Sequence, residues 1–165
     1  MSSIHAWDNF FVAEVGAAAA LTGLVFVAVS ISLRTILASA QLCARARETL
    51  QTFLAVLAIA TCGLIPDQSD GALGIEIAGF GALSWVIATG RHLRAHRDPS
   101  LDPDARRWLW LRILGAQASS VPFVIAGVLL LAGREHGLVW AAPGTLASFA
   151  AGAFNAWVLL VEIQR

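Results

Sequence analysis

An all-α polytopic membrane protein, a bundle of five transmembrane helices, is the fold class this sequence predicts, and three observations carry it. Hydrophobic residues make up 58% of the 165 residues and charged ones 13%, against roughly 45–50% and 25% in soluble globular domains. The apolar residues come in runs near 20, the length that crosses a hydrocarbon core of about 30 Å. Several runs are apolar all round, whereas a helix lying on a soluble core keeps one polar side. At this length a single membrane domain covering 1–165 is expected.

The first span, 10–33, reads FFVAEVGAAAALTGLVFVAVSISL and holds one charge, Glu14, near its start. Gly16, Ala20, Gly23 and Val27 share one face, which Ser30 continues. Small faces of this kind let a second backbone come close, the way helices associate in lipid. Glu14, Ala18, Thr22, Val25, Val29 and Ser32 run down what reads as a neighbouring face. The expectation is a glycine–alanine side pressed on protein and a carboxylate looking into water.

The second span, 45–65, is stopped by Pro66 and the turn-forming Asp67-Gln68-Ser69-Asp70-Gly71. The third runs over 72–91. The fourth covers 103–132 and opens well, with Asp102 as cap, Pro103 first and Asp104 at the positive end of the dipole. The fifth begins between 139 and 143 and reaches 164; the span assigned is 140–164. A short echo links Ala-Glu-Val-Gly in the first span to Ile-Glu-Ile-Ala-Gly in the third, as a duplicated hairpin plus a fifth helix would.

Arginine placement sets the orientation. Arg34, Arg45, Arg47, Arg91, Arg94, Arg97, Arg106, Arg107, Arg112 and Arg165 fall on one side; Arg134 falls on the other. The N-terminus is therefore expected outside and the C-terminus in the cytoplasm, in a bacterial cytoplasmic (inner) membrane. Asp8, Glu14, Asp67, Asp70, Glu76 and Glu135 gather at the outer face. Trp7 and Trp140 suit the outer interface and Trp108 and Trp110 the inner one, while Trp85 and Trp157 lie deeper. The first ten residues lack a basic region and precede an apolar run too long for a signal peptide, so an uncleaved N-terminus is expected.

The composition also excludes chemistry. There is no lysine, which removes Schiff-base catalysis and lysine-dependent phosphate loops. Zero formal net charge gives no bulk attraction to nucleic acid. Cys43 and Cys62 are too few for a disulfide framework. No GxSxG, HExxH, CxxC or glycine-rich phosphate loop occurs, and the loops are too short for a catalytic domain. No enzyme activity, cofactor or metal is expected.

Polar groups inside spans are expensive and so mark candidate sites. Glu14 and Glu76 each lie about a turn below the outer surface. Around an oligomer axis, Glu14 would form a carboxylate ring of the kind that concentrates cations. Thr22 continues that path, and Val25 and Val29 could gate it by dewetting. Burial would suit the two carboxylates to carrying protons instead; hydration at the interface would leave both inert. In the last span Gly144, Ser148, Gly152 and Ala156 form a small stripe, while Ser148, Asn155 and Glu162 recur every seven residues. Asn155, near mid-membrane, needs a partner; it fits an interhelical bond or a permeation path. Glu162 should pair with Arg112 or Arg107.

Pro122, beside Gln117, Ser119 and Ser120, should kink the fourth span, with Gly127 helping it act as a hinge. His92 and His96 have the i, i+4 spacing of a shared metal, though the arginine-rich HLRAHR favours contact with lipid phosphate. In length and span count the chain is similar to the tryptophan-rich translocator proteins, but it lacks their extended Trp/Pro pattern, and nothing of their function is carried over.

The leading expectation is a small homo-oligomeric channel or passive transporter for cations or protons, lined by the first helix. The alternatives are a non-catalytic accessory or assembly subunit of a larger membrane complex, and an intramembrane binder of lipid or small molecules walled by Trp85 and Trp157. The lipid bilayer is a partner in each.

Overall fold

The computed structural model describes residues 6–97 and 103–163. His5, Asp102, Gln164 and Arg165 lie outside the described residues, as do the side chains of Asp104, Arg106, Arg107, Trp108 and Glu135. Among the described residues all regular structure is helical: α1 (Asp8–Ile31), α2 (Leu33–Leu37), α3 (Ala40–Cys62), α4 (Asp70–His96), α5 (Pro103–Leu131), a 3-10 helix (Glu135–Trp140) and α6 (Ala141–Ile163).

Local chemistry explains the boundaries. The expected first span becomes α1 and α2, because helical geometry lapses at Ser32 (φ −104°, ψ 19°). Ser39 Oγ accepts from Leu42 N at 3.4 Å and starts α3, five residues before the expected 45. That helix stops at Cys62 rather than 65; the Leu64 and Ile65 amides turn back to the Thr61 and Cys62 carbonyls. Asp67 then takes a left-handed turn at φ 55°. Ser69 Oγ accepts from Ala72 N at 3.2 Å, and Asp70 sits in the first turn of α4, where its charge meets the helix dipole. Pro103 opens α5 as expected.

Four stretches are long and apolar enough to cross a membrane: Asp8–Ile31, Asp70–His96, Leu109–Leu131 and His136–Glu162. The chain is thus consistent with an integral membrane protein. α3 has the length of a span, with 23 residues, but Arg45, Arg47 and Glu48 in its first half keep it out of that group.

The chain divides into two compact units. One holds α1, α2, α3 and the part of α6 from Phe149; the other holds α4, α5, the 3-10 helix and the start of α6 up to Ser148. Each is therefore a helical hairpin completed by a piece of α6. In the first unit Phe11, Ala18, Phe53, Val56, Ile59 and Ala60 are fully buried, and Ile36, Leu42, Ala46 and Leu159 close its other end. In the second, Leu73, Ile77, Phe123, Ala126, Leu130 and Leu138 form the core.

Candidate functional site

The first unit holds Glu14, Thr22, Val25, Val29 and Asn155 of the path expected from the sequence. Phe11 packs on Gly63, where a Cβ would meet its ring at 2.6 Å. At the other end Val29 packs on the cluster of Ile36, Leu42, Ala46 and Leu159. Those two contacts fix an antiparallel register that sets Glu14 level with Ala60 and Thr22 level with Thr52. Glu14 is 5% exposed and Asn155 7% exposed; Val25 is buried, and Thr22 and Val29 are half-buried. Gly152 meets the Phe53 ring so closely that a Cβ would overlap it, and Phe149 lies 6.3 Å from Phe53 between ring centroids. That register puts Asn155 level with Leu50. Thr22, Thr49, Thr52 and Asn155 therefore fall within about one 5.4 Å turn in height.

These hydroxyls serve their own helices. Thr22 Oγ1 donates to Ala18 O at 2.7 Å, Thr49 Oγ1 to Arg45 O and Thr52 Oγ1 to Glu48 O, each at 2.9 Å. Turning back one helical turn satisfies a hydroxyl in an apolar setting without a partner helix. The interior of this unit is mainly apolar and buries two carboxylates, Glu14 and Glu48, together with Thr49 and Asn155.

The two rows on α1 lie on opposite sides rather than on neighbouring faces. At 100° per residue, the Glu14–Ala18–Val25 row sits about half a turn from the Gly16–Ala20–Gly23 row. Glu14, Ala18 and Val25 are the buried side. Gly16, Ala20, Gly23, Val27 and Ser30 are exposed, and a Cβ at Gly16 or Gly23 would find no atom within 4 Å. Within the single chain the Glu14 carboxylate is buried and it is the glycine side that lies open. Only 17% of the apolar window of α1 is buried, against 28–33% for the other three spans.

In the second unit, small residues do pack. Gly74, Ala78 and Gly81 of α4 face α5, where a Cβ on Gly127 would strike the backbone of Ala78 and Gly74. A Cβ on Gly81 would lie 3.0 Å from Phe123 Cβ. This stripe is legible in the sequence as Gly74-xxx-Ala78-xx-Gly81. Gly127 is accordingly a packing glycine between two helices. α5 runs unbroken through Pro122; Ser119 and Ser120 donate to the carbonyls of Gly115 and Ala116 at 2.8 Å each. Ser148 of α6 donates to Gly144 O at 2.7 Å and reaches Ser119 O at 3.4 Å, and Gly144 rests against the Phe123 ring, 3.1 Å from a built Cβ.

Glu76 lies in this second unit, apart from the string around Glu14. Its Oε2 accepts from Gln68 Nε2 at 2.7 Å, which ties α4 to the turn before it. The unit also carries a side-chain bridge that sequence reasoning missed. Trp85 Nε1 donates to Gln117 Oε1 at 2.5 Å, and Gln117 Nε2 donates to Thr89 Oγ1 at 3.4 Å. One glutamine thus joins two turns of α4 to α5. Trp85 is 40% exposed and Trp157, in the first unit, 62% exposed.

At the arginine-rich end of the first unit, Glu162 pairs with Arg45 at 3.6 Å; the expected partners Arg112 and Arg107 belong to the other unit. α4 continues past the expected 91 to His96, which places His92 and His96 on one helix. His92 is buried, whereas His96 is exposed and meets Trp110 edge-on at 5.9 Å between centroids. Their environments differ, and no group of three or more His, Cys, Asp or Glu suited to a metal occurs among the described residues. Comparison with protein-family models, with curated proteins and with solved structures finds no match.

Proposed function

We propose that this chain is a non-catalytic integral membrane subunit of five spans that assembles with further copies of itself through the open side of α1. The single observation that carries this reading is the exposed row of Gly16, Ala20 and Gly23 on the least buried span. Glycine in a helix interior costs about 1 kcal/mol relative to alanine, and against acyl chains it gains nothing in return. Against a second helix it allows close approach of two backbones. α3 is the fifth span: residues 45–62 cover about 27 Å of helix, close to the hydrocarbon thickness, with the Arg45 and Arg47 side chains reaching to the cytoplasmic surface. The arginine bias puts the N-terminus outside and the C-terminus inside a bacterial cytoplasmic membrane.

The mass of the purified chain in detergent tests the assembly. A symmetric multimer is expected, converted to monomer by Gly16→Leu with Gly23→Leu. A monomer that co-purifies with foreign subunits would move the reading to an accessory subunit of a larger complex.

A second reading, a conduit for cations or protons, is favoured by one observation: the Glu14 carboxylate is 5% exposed in a unit that also buries Thr49 and Asn155. In this version Glu14 acts inside its own subunit, with Thr22, Val25, Val29 and Asn155 below it, and does not form a ring on an axis. Liposome flux decides it. A Glu14→Gln protein with unchanged rate and ion preference removes the conduit.

A further inference from the structure

In the second unit the start of α6 lies antiparallel to α5 in a single register. Gly144 rests against the Phe123 ring, and four residues on Ser148 Oγ reaches Ser119 O at 3.4 Å. The buried hydroxyls among the described residues are those of Thr49, Ser119, Ser120, Thr145 and Ser148. Four of them donate to the carbonyl four residues back, at 2.7–2.9 Å, which satisfies a hydroxyl in an apolar setting. Thr145 makes no such bond. It is 2% exposed, and its Oγ1 has no hydrogen-bond partner among the described residues. The carbonyl four residues back belongs to Ala141, the first residue of α6, where the chain has just left the 3-10 helix.

A hydroxyl stranded in this way costs free energy inside a span, where bulk water does not reach it. One neighbour stands at the right spacing for a bridge. Thr145 and Ser148 lie three apart on α6, which separates their Cβ atoms by about 5–6 Å, the span of one water with a hydrogen bond to each side. Ser148 spends its proton on Gly144 O, so its lone pairs are open to a donor. Thr145 has its proton still to give. We infer that a single buried water sits in the α5–α6 seam, accepting from Thr145 Oγ1 and donating to Ser148 Oγ and to the Ser119 carbonyl.

Three hydrogen bonds are the usual number for a buried water, and this one fastens the first turns of α6 to α5. All three residues belong to one unit. The site stands whether or not α1 assembles and whether or not Glu14 conducts.

Solution NMR of the full chain in detergent, with labelled threonine methyl groups, tests it. A bound water should give the Thr145 methyl a water cross-peak of opposite sign in the laboratory and rotating frames. Ser148→Ala removes one acceptor and should weaken that cross-peak; a signal relayed through threonine's own exchanging hydroxyl would not depend on Ser148. Thr145→Val keeps the shape of the side chain and removes the donor. It should lower the melting midpoint by about 2–4 °C, whereas losing an unbonded hydroxyl would raise it. No cross-peak at Thr145, one of equal intensity in Ser148→Ala, or a raised midpoint in Thr145→Val would overturn the site.

Discussion

Two glycines at comparable sequence positions do opposite things. Gly127 sits where any Cβ would collide with the α4 backbone at Gly74 and Ala78, while a Cβ on Gly16 would meet nothing within 4 Å. Backbone cannot yield as a flexible side chain does. Gly127→Ala should therefore lose about 1–3 kcal/mol, read as a lower melting midpoint in detergent, while Gly16→Ala, measured on the dissociated monomer, should leave the midpoint unchanged or slightly raised. Equal shifts for the two would mean that α4 and α5 do not meet as described. At the Gln117 bridge a second outcome is expected. Interhelical side-chain bonds in membranes average about 0.6 kcal/mol, so Gln117→Leu should be mild in stability. Its signature is instead spectroscopic: the Trp85 indole N–H resonance should move upfield as its acceptor disappears, and an unmoved resonance would deny the bond.

Among the elements, α3 holds the most interest, because its charged first half and apolar second half give conflicting signals. Cysteine labelling in a Cys43→Ser, Cys62→Ser background resolves it. If α3 crosses, a cysteine at Ser39 and one at Gln68 should react from opposite sides of intact cells, the second from outside. Labelling of both from one side would make α3 a re-entrant or surface helix and leave four spans. The apolar runs made the helices legible from sequence, and Pro66, Ser69 and Pro103 marked ends to within a few residues. The lapse at Ser32 was not legible, since FVAVSISLRTIL carries no proline or glycine. Which side of α1 faces its own hairpin was also hidden. Small residues are compatible both with tight packing and with an empty face; only the positions of Phe11 and Val29 on α3 decide between them. Ser148 and Gly152 were recognisable as packing residues because an i, i+4 stripe in the final span had few other uses. Asn155 was recognisable as buried, but not its height relative to Thr22 and Thr49, which depends on two helix registers at once.

For the molecule as a whole, two units, each a hairpin completed by part of α6, divide the buried polar side chains between them. The first unit buries Glu14, Glu48 and Asn155; in the second, Gln117 and Ser148 join helices and Glu76 holds the turn before α4. What it leaves uncovered is the glycine side of α1, and the account turns on what covers that side in the membrane. Light scattering of the purified chain in a mild detergent, compared with its Gly16→Leu, Gly23→Leu variant, addresses this most directly. The account predicts a discrete multimer for the first and a folded monomer of 17.4 kDa for the second, with equal helix content by circular dichroism. An unaltered chain that is monomeric, or a variant that keeps its multimer, would contradict it.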